Sequence, residues 1–225
     1  MAHGDRASQS RQRPSLLTFD RLNALTDAVM AIVMTLLVLQ IEIPDGANFR
    51  RGLWPFLAQI EHDLGIYAIS FLMVATFWVQ HHSLFHYLRY VDRTVIWLDL
   101  LFLLPVSMLP FTSQLKSAFR HDAESVWLLS FALIVSWLSL AAISWYAMRH
   151  RELLRRPVPA EVVSSVLWRI GAVIAVCLAA MVLATASVRL ATYLFLAVPL
   201  LFLRNRSVDA HWQDAPESVE VQSDQ

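Results

Sequence analysis

The sequence predicts an all-α membrane protein with six transmembrane helices, and three observations lead to this prediction. Apolar residues make up 57% of the 225 residues, and the mean hydropathy is +0.50. Only 16% of the residues are charged, against about 25% in a typical soluble domain. The apolar residues are gathered in runs of the length needed to cross a bilayer, which is about 20 residues for a helix.

The predicted helices follow one another with short connections. The first spans residues 18–43, with Thr18 as its N-cap, and ends before Pro44. A short amphipathic segment at 53–60 is expected at the membrane interface. The remaining five predicted helices cover 64–79, 95–115, 126–148, 166–185 and 189–203. Pro105 and Pro110 lie inside the third, which is therefore expected to bend.

Six spans place both ends of the chain on one side of the membrane. That side carries thirteen arginines, whereas the other carries four arginines and one lysine. Because basic residues concentrate on the cytoplasmic side, we expect both termini to be cytoplasmic. The chain then divides into an N-terminal tail (1–17), a six-helix transmembrane domain (18–204) and a disordered C-terminal tail (205–225). The polar N-terminus lacks the apolar region and cleavage site of a signal peptide.

Several functional classes find little support in the sequence. The net charge is zero, and no basic patch with interleaved aromatics predicts nucleic-acid binding. No nucleophile elbow or phosphate-binding loop predicts an enzyme. His82 and His86 have the i, i+4 spacing of metal ligands, but no cysteine or carboxylate lies beside them. We therefore expect no metal and no cofactor, and a metal-dependent membrane enzyme is kept only as an alternative.

Asp27 is the first candidate functional residue. It lies inside the apolar run of the first helix, where a carboxylate at the centre of a membrane helix costs about 2.5–3.5 kcal/mol. Arg21 is six residues away, a spacing that does not place it beside Asp27 on a helix. We expect partners for Asp27 among a set of polar side chains: Asn23, Thr26, Trp78, His81 and His82.

A stripe of apolar residues with one hydroxyl lies on the same helix. At about 100° per residue, Leu36, Leu39 and Thr35 fall within about 60° of Ile32 on the helical wheel, and Asp27 falls about 140° away. The stripe and the carboxylate therefore lie on nearly opposite faces. From spacing alone, the stripe could contact lipid, a neighbouring helix or a pore.

Three segments carry a resemblance to a known family. They are RLNALTDA at 21–28 with the apolar helix that follows, FWVQHHSLF at 77–85, and LLPVSMLPF at 103–111. Together they resemble the first-helix signature Arg-x-x-x-Phe-Ser-Asp, the end of helix two and the proline-containing helix three of the transmembrane protein 175 family of potassium channels. Leu25 and Thr26 stand where the family has Phe and Ser, and threonine keeps the hydroxyl.

The resemblance implies a single-repeat prokaryotic channel that conducts K⁺ in the cell membrane as a homotetramer. The first helix of each copy would line the pore, with its constriction at Ile32, a hydroxyl ring at Thr35 and further apolar lining from Leu36 and Leu39. A structural polar network would hold that helix in place and would comprise Arg21, Thr26, Asp27, Trp78, His81 and His82.

The chain has no Thr-Val-Gly-Tyr-Gly loop to supply rings of carbonyl oxygens. A hydrophobic constriction gates by dewetting, so modest selectivity for K⁺ over Na⁺ is expected from the easier dehydration of K⁺. The alternative is a secondary or proton-coupled transporter that uses Asp27 and His81/His82 as a relay.

Overall fold

The computed structural model describes residues 15–41, 52–155, 158 and 160–203. These residues form an all-α bundle in which an isolated bridge between Leu88 and Leu154 is the only β-type pairing. The helices are α1 (Ser15–Val38), α2 (Leu53–Gln59), α3 (Glu61–His86), α4 (Arg93–Ser107), α5 (Leu109–Ala118), α6 (Ala123–Arg149), α7 (Ala160–Ala184), α8 (Val188–Leu194) and α9 (Ala197–Leu203). A 3₁₀ helix, Arg151–Leu153, follows α6.

The length and composition of the helices confirm a membrane protein with several spans. Within the described ranges, five stretches are long and apolar enough to cross a membrane: Phe19–Val38, Glu61–His86, Arg93–Ala118, Ala123–Arg149 and Val163–Ala184. The sixth predicted span corresponds to α8 and α9, which together make a shorter apolar stretch, Val188–Phe202. The predicted interfacial segment is the short helix α2, whose Trp54 is exposed.

The ends of α1 differ from the prediction. The helix begins at Ser15, so Thr18 lies inside it and is not its N-cap. It ends at Val38 rather than at residue 43. The amides of Leu39, Gln40 and Ile41 then bond to carbonyls three residues back, at 3.1–3.3 Å. Such tightened turns satisfy the free carbonyls of a helix end. Because the sequence stays apolar past Val38, its hydropathy does not reveal where the helix ends. Residues 42–51 lie outside the described ranges.

The second long helix, α3, extends beyond the predicted 64–79 at both ends. It begins at Glu61 and continues to His86, so the polar segment after Val79 is helical rather than a connection. The side chains of Trp78 and His81 find partners on α1 and α4, as described below. Tertiary contacts therefore stabilise a helical segment that, because of its polar residues, was predicted to lie beyond the end of the helix.

The bend predicted in the third span is confirmed as a break at Met108 between α4 and α5. The amide of Met108 bonds to the carbonyl of Pro105, three residues back, at 3.1 Å. The next helix begins at Leu109 with Pro110 in its first turn. Proline has no amide hydrogen and its ring clashes with the preceding turn, so the two prolines prevent a straight helix here.

Three aromatic rings mark the centre of the bundle. Phe77 of α3 lies 5.8 Å from Phe102 of α4 and 4.9 Å from Trp137 of α6, measured between ring centroids. Each of these side chains is at most 1% exposed. These rings join α3, α4 and α6 into one core against which α1 packs.

The long helix α6 lies between α4 and α7. Its small serines allow close approach of neighbouring helices. Ser136, Ser139 and Ser144 each donate a hydrogen bond of 2.9 Å to the carbonyl four residues back. Their hydroxyls are therefore satisfied within the helix and need no water.

The connections at one end of the bundle are bonded together. The amide of Arg89 donates to the Leu153 carbonyl at 2.7 Å, and the amide of Arg155 donates to the Tyr87 carbonyl at 2.9 Å. The guanidinium of Arg155 lies 5.9 Å from the ring of Phe19, near the start of α1. We name this the arginine end after its exposed arginines: Arg89, Arg93, Arg149, Arg151 and Arg155.

Candidate functional site

The first helix has one buried face and one exposed face. Met30, Val33 and Leu37 are at most 2% exposed and belong to the core. On the other side, the structure leaves all four predicted stripe residues at the surface of the single chain: Ile32 (57% exposed), Leu36 (40%), Leu39 (75%) and Thr35. The predicted stripe is therefore a face of α1 that the described residues of its own chain leave uncovered.

The hydroxyl of Thr35 is bonded within its own helix. Its Oγ1 donates to the carbonyl of Ile32 at 2.8 Å. A hydroxyl oxygen that donates its only proton keeps its lone pairs as acceptors. The oxygen of Thr35 can therefore accept from water or bind a cation at the exposed face, one turn beyond the side chain of Ile32.

Leu39 differs from the other three stripe residues in its backbone. It lies one residue past the end of α1, in a turn with hydrogen bonds to carbonyls three residues back. Such a turn has about 3.0 residues per turn rather than about 3.6. The direction of the Leu39 side chain therefore departs from the wheel that applies to Ile32 and Leu36.

Asp27 lies away from the stripe and is held by α3. Its Oδ1 accepts from Trp78 Nε1 at 2.9 Å, and its Oδ2 accepts a longer bond from Asn23 Nδ2 at 3.5 Å. His82 stacks on the Trp78 ring at 5.5 Å between centroids. The carboxylate is half-buried. Of the partners expected from the sequence, the structure brings Asn23 and Trp78 to Asp27.

Thr26 and His81 bond to a residue that the sequence prediction missed, Asp99 of α4. Thr26 Oγ1 donates to Asp99 Oδ2 at 2.7 Å, and His81 Nε2 lies 2.8 Å from Asp99 Oδ1. All three side chains are at most 1% exposed. Of the candidate partners that the sequence offered for Asp27, Thr26 and His81 therefore bond to Asp99 instead.

A signal in the sequence could have identified Asp99. It is the only ionisable residue in the apolar run IWLDLLFLLP at 96–105. The rule applied to Asp27, that a carboxylate inside a membrane helix marks a functional site, applies to it equally. The ring of His81 is also enclosed by Phe85 and Phe102, at centroid distances of 3.9 and 5.6 Å.

Arg21 does not take part in these contacts. Its side chain is exposed at the start of α1, and within the described ranges it forms no ion pair with Asp27 or Asp99. The described part of the chain therefore contains two polar contacts behind the stripe. One is the pair of Asp27 with Trp78, and the other is the buried triad of Thr26, Asp99 and His81.

A second polar cluster lies at the end of the bundle opposite the arginine end. Asp63, in the first turn of α3, accepts from the Ser117 hydroxyl and forms an ion pair of 3.7 Å with Arg120. Lys116 lies beside this pair and is 1% exposed, and within the described ranges its Nζ has no hydrogen-bond partner. Ser117 and Asp63 also line a small cleft beside Gln40, just past the end of α1.

The described residues contain no group of three or more His, Cys, Asp or Glu side chains that could hold a metal ion. His82 stacks on Trp78 at a centroid distance of 5.5 Å, and His86 lies edge-to-face against Tyr87 at 6.1 Å. The arrangement therefore offers an apolar face with a hydroxyl, supported from behind by polar contacts.

Part of this chain is similar to a known protein family. Residues 21–110, which hold both carboxylates and the stripe, match the family model TMEM175, described as the endosomal/lysosomal potassium channel TMEM175. A Streptomyces collinus protein named as a potassium channel is 35% identical over 133 residues, which cover 57% of this chain and 64% of the relative.

A zebrafish (Danio rerio) relative is named an endosomal/lysosomal proton channel, TMEM175. It is 26% identical over 137 residues, which cover 60% of this chain and 26% of the relative. The matched part of this chain thus spans less than two thirds of either relative's own length.

Among solved structures, this chain is similar to a Chamaesiphon minutus protein described as a homologue of the lysosomal potassium-selective channel TMEM175. The TM-score is 0.72 at 22% sequence identity, over 84% of this chain and 98% of that chain. At this identity the match shows a common fold.

Proposed function

We propose that this chain, whose resemblance to the TMEM175 family is confirmed by the match over residues 21–110, forms a potassium-permeable cation channel. The channel would be a homotetramer in the cell membrane of a prokaryote, and not an enzyme. The observation that carries the proposal is the division of α1 into a face buried in its own chain and an exposed face with Ile32 and Thr35.

The polar contacts on the opposite side of α1 support the proposal that its exposed face lines a pore. The two polar contacts behind the stripe join α1 to α3 and α4: Asp27 bonds to Trp78 of α3, and Thr26 bonds to Asp99 of α4. A helix that only contacted lipid would not need two carboxylates to hold it. A helix that sets the width of a pore does need a defined position and rotation.

Ile32 would form the narrowest point when four copies face one another. A ring of branched apolar side chains excludes water when it is closed, and an ion must shed part of its hydration shell to pass. K⁺ loses its water more readily than Na⁺, so it would pass more easily. The Thr35 oxygen and its bonded Ile32 carbonyl lie next to this point and could replace part of the lost water.

The remaining stripe residues would extend the lining. Leu36 is one turn beyond Ile32 on α1, and Leu39 lies in the turn that follows. The structural polar network proposed from the sequence would be completed by Asp99. Its members on α3, which are Trp78, His81 and His82, would then hold the pore helix and would not contact the permeating ion.

The test compares cation flux in liposomes for the wild type and Ile32→Asn. An amide at the constriction keeps water in the pore, so we expect the variant to raise K⁺ flux several-fold and to lower the preference over Na⁺. The matched control is Leu101→Asn. Leu101 lies on α4 and is also an apolar residue with an exposed side chain, 48% exposed. Unchanged flux in Ile32→Asn, or an equal change in Leu101→Asn, would reject the proposed constriction.

The oligomeric state tests the assembly separately. Chemical crosslinking in the membrane and native mass spectrometry in detergent should both give four chains per particle. A stable monomer would favour the alternative, a transporter in which Asp27 and His81/His82 relay protons. In the described part of the chain His81 bonds to Asp99 rather than to Asp27, so such a relay would need an intervening group.

Proton permeation can be measured in the same liposomes, since the zebrafish relative is named a proton channel. A pH-sensitive dye inside the vesicles reports proton entry when K⁺ leaves. Proton entry that persists when K⁺ is replaced by an impermeant cation would point to proton transport as the main activity.

A further inference from the structure

The arginine end carries more positive charge than its own carboxylates neutralise. The two acidic residues in its connections are already engaged. Asp92 accepts from the Val95 amide at 2.9 Å and from the Tyr146 hydroxyl at 2.6 Å, and Glu152 pairs with His150 at 3.3 Å. In the part of the chain that is described, none of the five arginines of the arginine end forms an ion pair with a carboxylate.

Two of these arginines lie on a helix that also carries an exposed tryptophan, one helical turn further from the arginine end. Arg93 begins α4, and Trp97 follows four residues later with 62% of its side chain exposed. Arg149 ends α6, and Trp145 precedes it by four residues with 56% exposed. Residues at i and i+4 share one face of a helix. Each helix therefore presents an outer arginine and an inner tryptophan on the same side.

The two helices run antiparallel and are joined at this end. The Tyr146 hydroxyl of α6 bonds to Asp92, which also caps the start of α4. The guanidinium of Arg149 lies 4.8 Å from the centroid of the Trp145 ring. On both helices the arginine lies at this end and the tryptophan lies one turn further from it. We name these four residues the Arg–Trp edge: Arg93, Trp97, Trp145 and Arg149.

We propose that the Arg–Trp edge binds the phosphate of anionic phospholipids. Tryptophan belongs at the level of the headgroups, with its apolar ring towards the acyl chains. A guanidinium one turn further out meets the phosphate and can donate two parallel hydrogen bonds to it. The exposed apolar rings distinguish this surface from a site for free phosphate, which would offer them no contact.

The neighbouring connections extend the basic surface. Arg89, Arg151 and Arg155 are exposed in the loops on either side of the edge. Basic residues near an anionic membrane surface add to lipid attraction within about a Debye length, which is about 8 Å at physiological salt. A lipid with net negative charge is therefore favoured over a zwitterionic lipid that has the same phosphate.

The same end of the molecule contacts the first helix, so lipid binding would influence the pore. The Nε of Arg155 donates to the Leu88 carbonyl at 2.8 Å, and its guanidinium lies over Phe19 of α1. The connections at the arginine end thus contact the start of α1. This coupling rests on the proposed channel function, whereas the lipid binding does not.

The binding test uses native mass spectrometry of the purified full chain with added dioleoylphosphatidylglycerol or dioleoylphosphatidylcholine. We expect the wild type to retain phosphatidylglycerol with at least tenfold higher affinity, and retention should fall as NaCl is raised. The double variant Arg93→Gln/Arg149→Gln should bind it at least fivefold more weakly. Arg93→Lys/Arg149→Lys should recover part of the loss. Should the glutamine pair fail to fold, Arg151→Gln alone should weaken binding about twofold.

The matched control is Arg189→Gln, an exposed arginine at the start of α8 and outside the arginine end. It should bind phosphatidylglycerol like the wild type. Equal retention of both lipids, or an equal loss in Arg189→Gln, would overturn the proposal. Displacement of the lipid by millimolar inorganic phosphate would also overturn it, because that result would indicate a free-anion site.

Cation flux in liposomes with and without phosphatidylglycerol tests the coupling to α1. We expect flux per protein to change at least twofold between the two compositions, and the change should be lost in Arg93→Gln/Arg149→Gln. Lipid binding without this change would overturn the coupling alone. Absence of flux in both compositions would instead count against the proposed channel function.

Discussion

His81 of α3 and Asp99 of α4 face one another with 2.8 Å between Nε2 and Oδ1, in a site where neither side chain is more than 1% exposed. Thr26 of α1 donates to the other oxygen of the same carboxylate. One buried carboxylate therefore connects three helices. Removing one member of a buried pair costs more than the pair contributes, because its partners stay buried without a bond.

Asp99→Ala is expected to lower the free energy of unfolding by about 1–3 kcal/mol, the usual cost of leaving a buried polar group without its hydrogen-bond partner. Thermal or denaturant unfolding in detergent measures the loss. Asp20→Ala, which removes an exposed carboxylate on α1, is the control and should change stability by less than about 0.5 kcal/mol. Equal stability of the two variants would contradict the buried triad.

Asp27→Ala and Trp78→Phe should be coupled. The phenylalanine keeps an aromatic ring beside His82 but lacks the indole N–H that donates to Asp27. Because the bond is half-exposed, we expect a coupling energy of about 1 kcal/mol, the usual net contribution of a hydrogen bond. A double-mutant cycle of unfolding free energies gives this value directly, and additive effects would show that the bond is absent.

The same Asp27→Ala variant separates a structural role from a pore-facing one. Since Asp27 bonds to α3 on a face away from the stripe, we expect the variant to alter assembly or gating more than the K⁺/Na⁺ permeability ratio. Crosslinking yields and flux measurements report the two effects. A variant that assembles normally and changes only the ratio would place the carboxylate in the pore.

Thr35→Val should lower the K⁺/Na⁺ permeability ratio, because it removes the oxygen that lies next to the proposed constriction. We expect a decrease of about two- to fivefold, which corresponds to about 0.4–1 kcal/mol at 1.4 kcal/mol per factor of ten. Reversal potentials under bi-ionic conditions measure the ratio. Thr35→Ser keeps the hydroxyl and should keep the ratio, so an equal decrease in both variants would assign the effect to packing.

Lys116→Met is expected to stabilise the protein. Within the described ranges the buried ammonium has no hydrogen-bond partner, and an unsatisfied buried polar group costs about 1–3 kcal/mol. Methionine fills a similar volume without the charge. Unfolding in detergent should therefore occur at higher temperature than in the wild type.

Arg120→Met serves as the comparison for Lys116→Met. Arg120 is 45% exposed and pairs with Asp63, and an exposed ion pair contributes about 0–1 kcal/mol. Its replacement should leave stability unchanged or slightly lower. If Lys116→Met proved the less stable of the two, the ammonium would have to be bonded in the assembled protein.

The helices and the stripe could be predicted from the sequence because both depend on local spacing. The angle between Ile32 and Asp27 follows from the pitch of a single helix, and the structure places the two side chains on different faces of α1. The break at Met108 follows from two prolines and needs no tertiary information. Asp27 stood out because an isolated carboxylate in an apolar run is costly wherever the helix packs.

The partners of the polar residues depended on which helices become neighbours. Thr26 and Asp99 are 73 residues apart, and nothing in the spacing of either helix indicates that they touch. The same holds for the end of α1, since the apolar sequence continues past Val38 while the backbone changes to tighter turns. The sequence by itself thus determined the helices and the faces of α1, because these arise from short-range periodicity. The tertiary structure decided that Asp99, rather than Asp27, joins three helices, because that choice depends on the packing of α1 against α3 and α4.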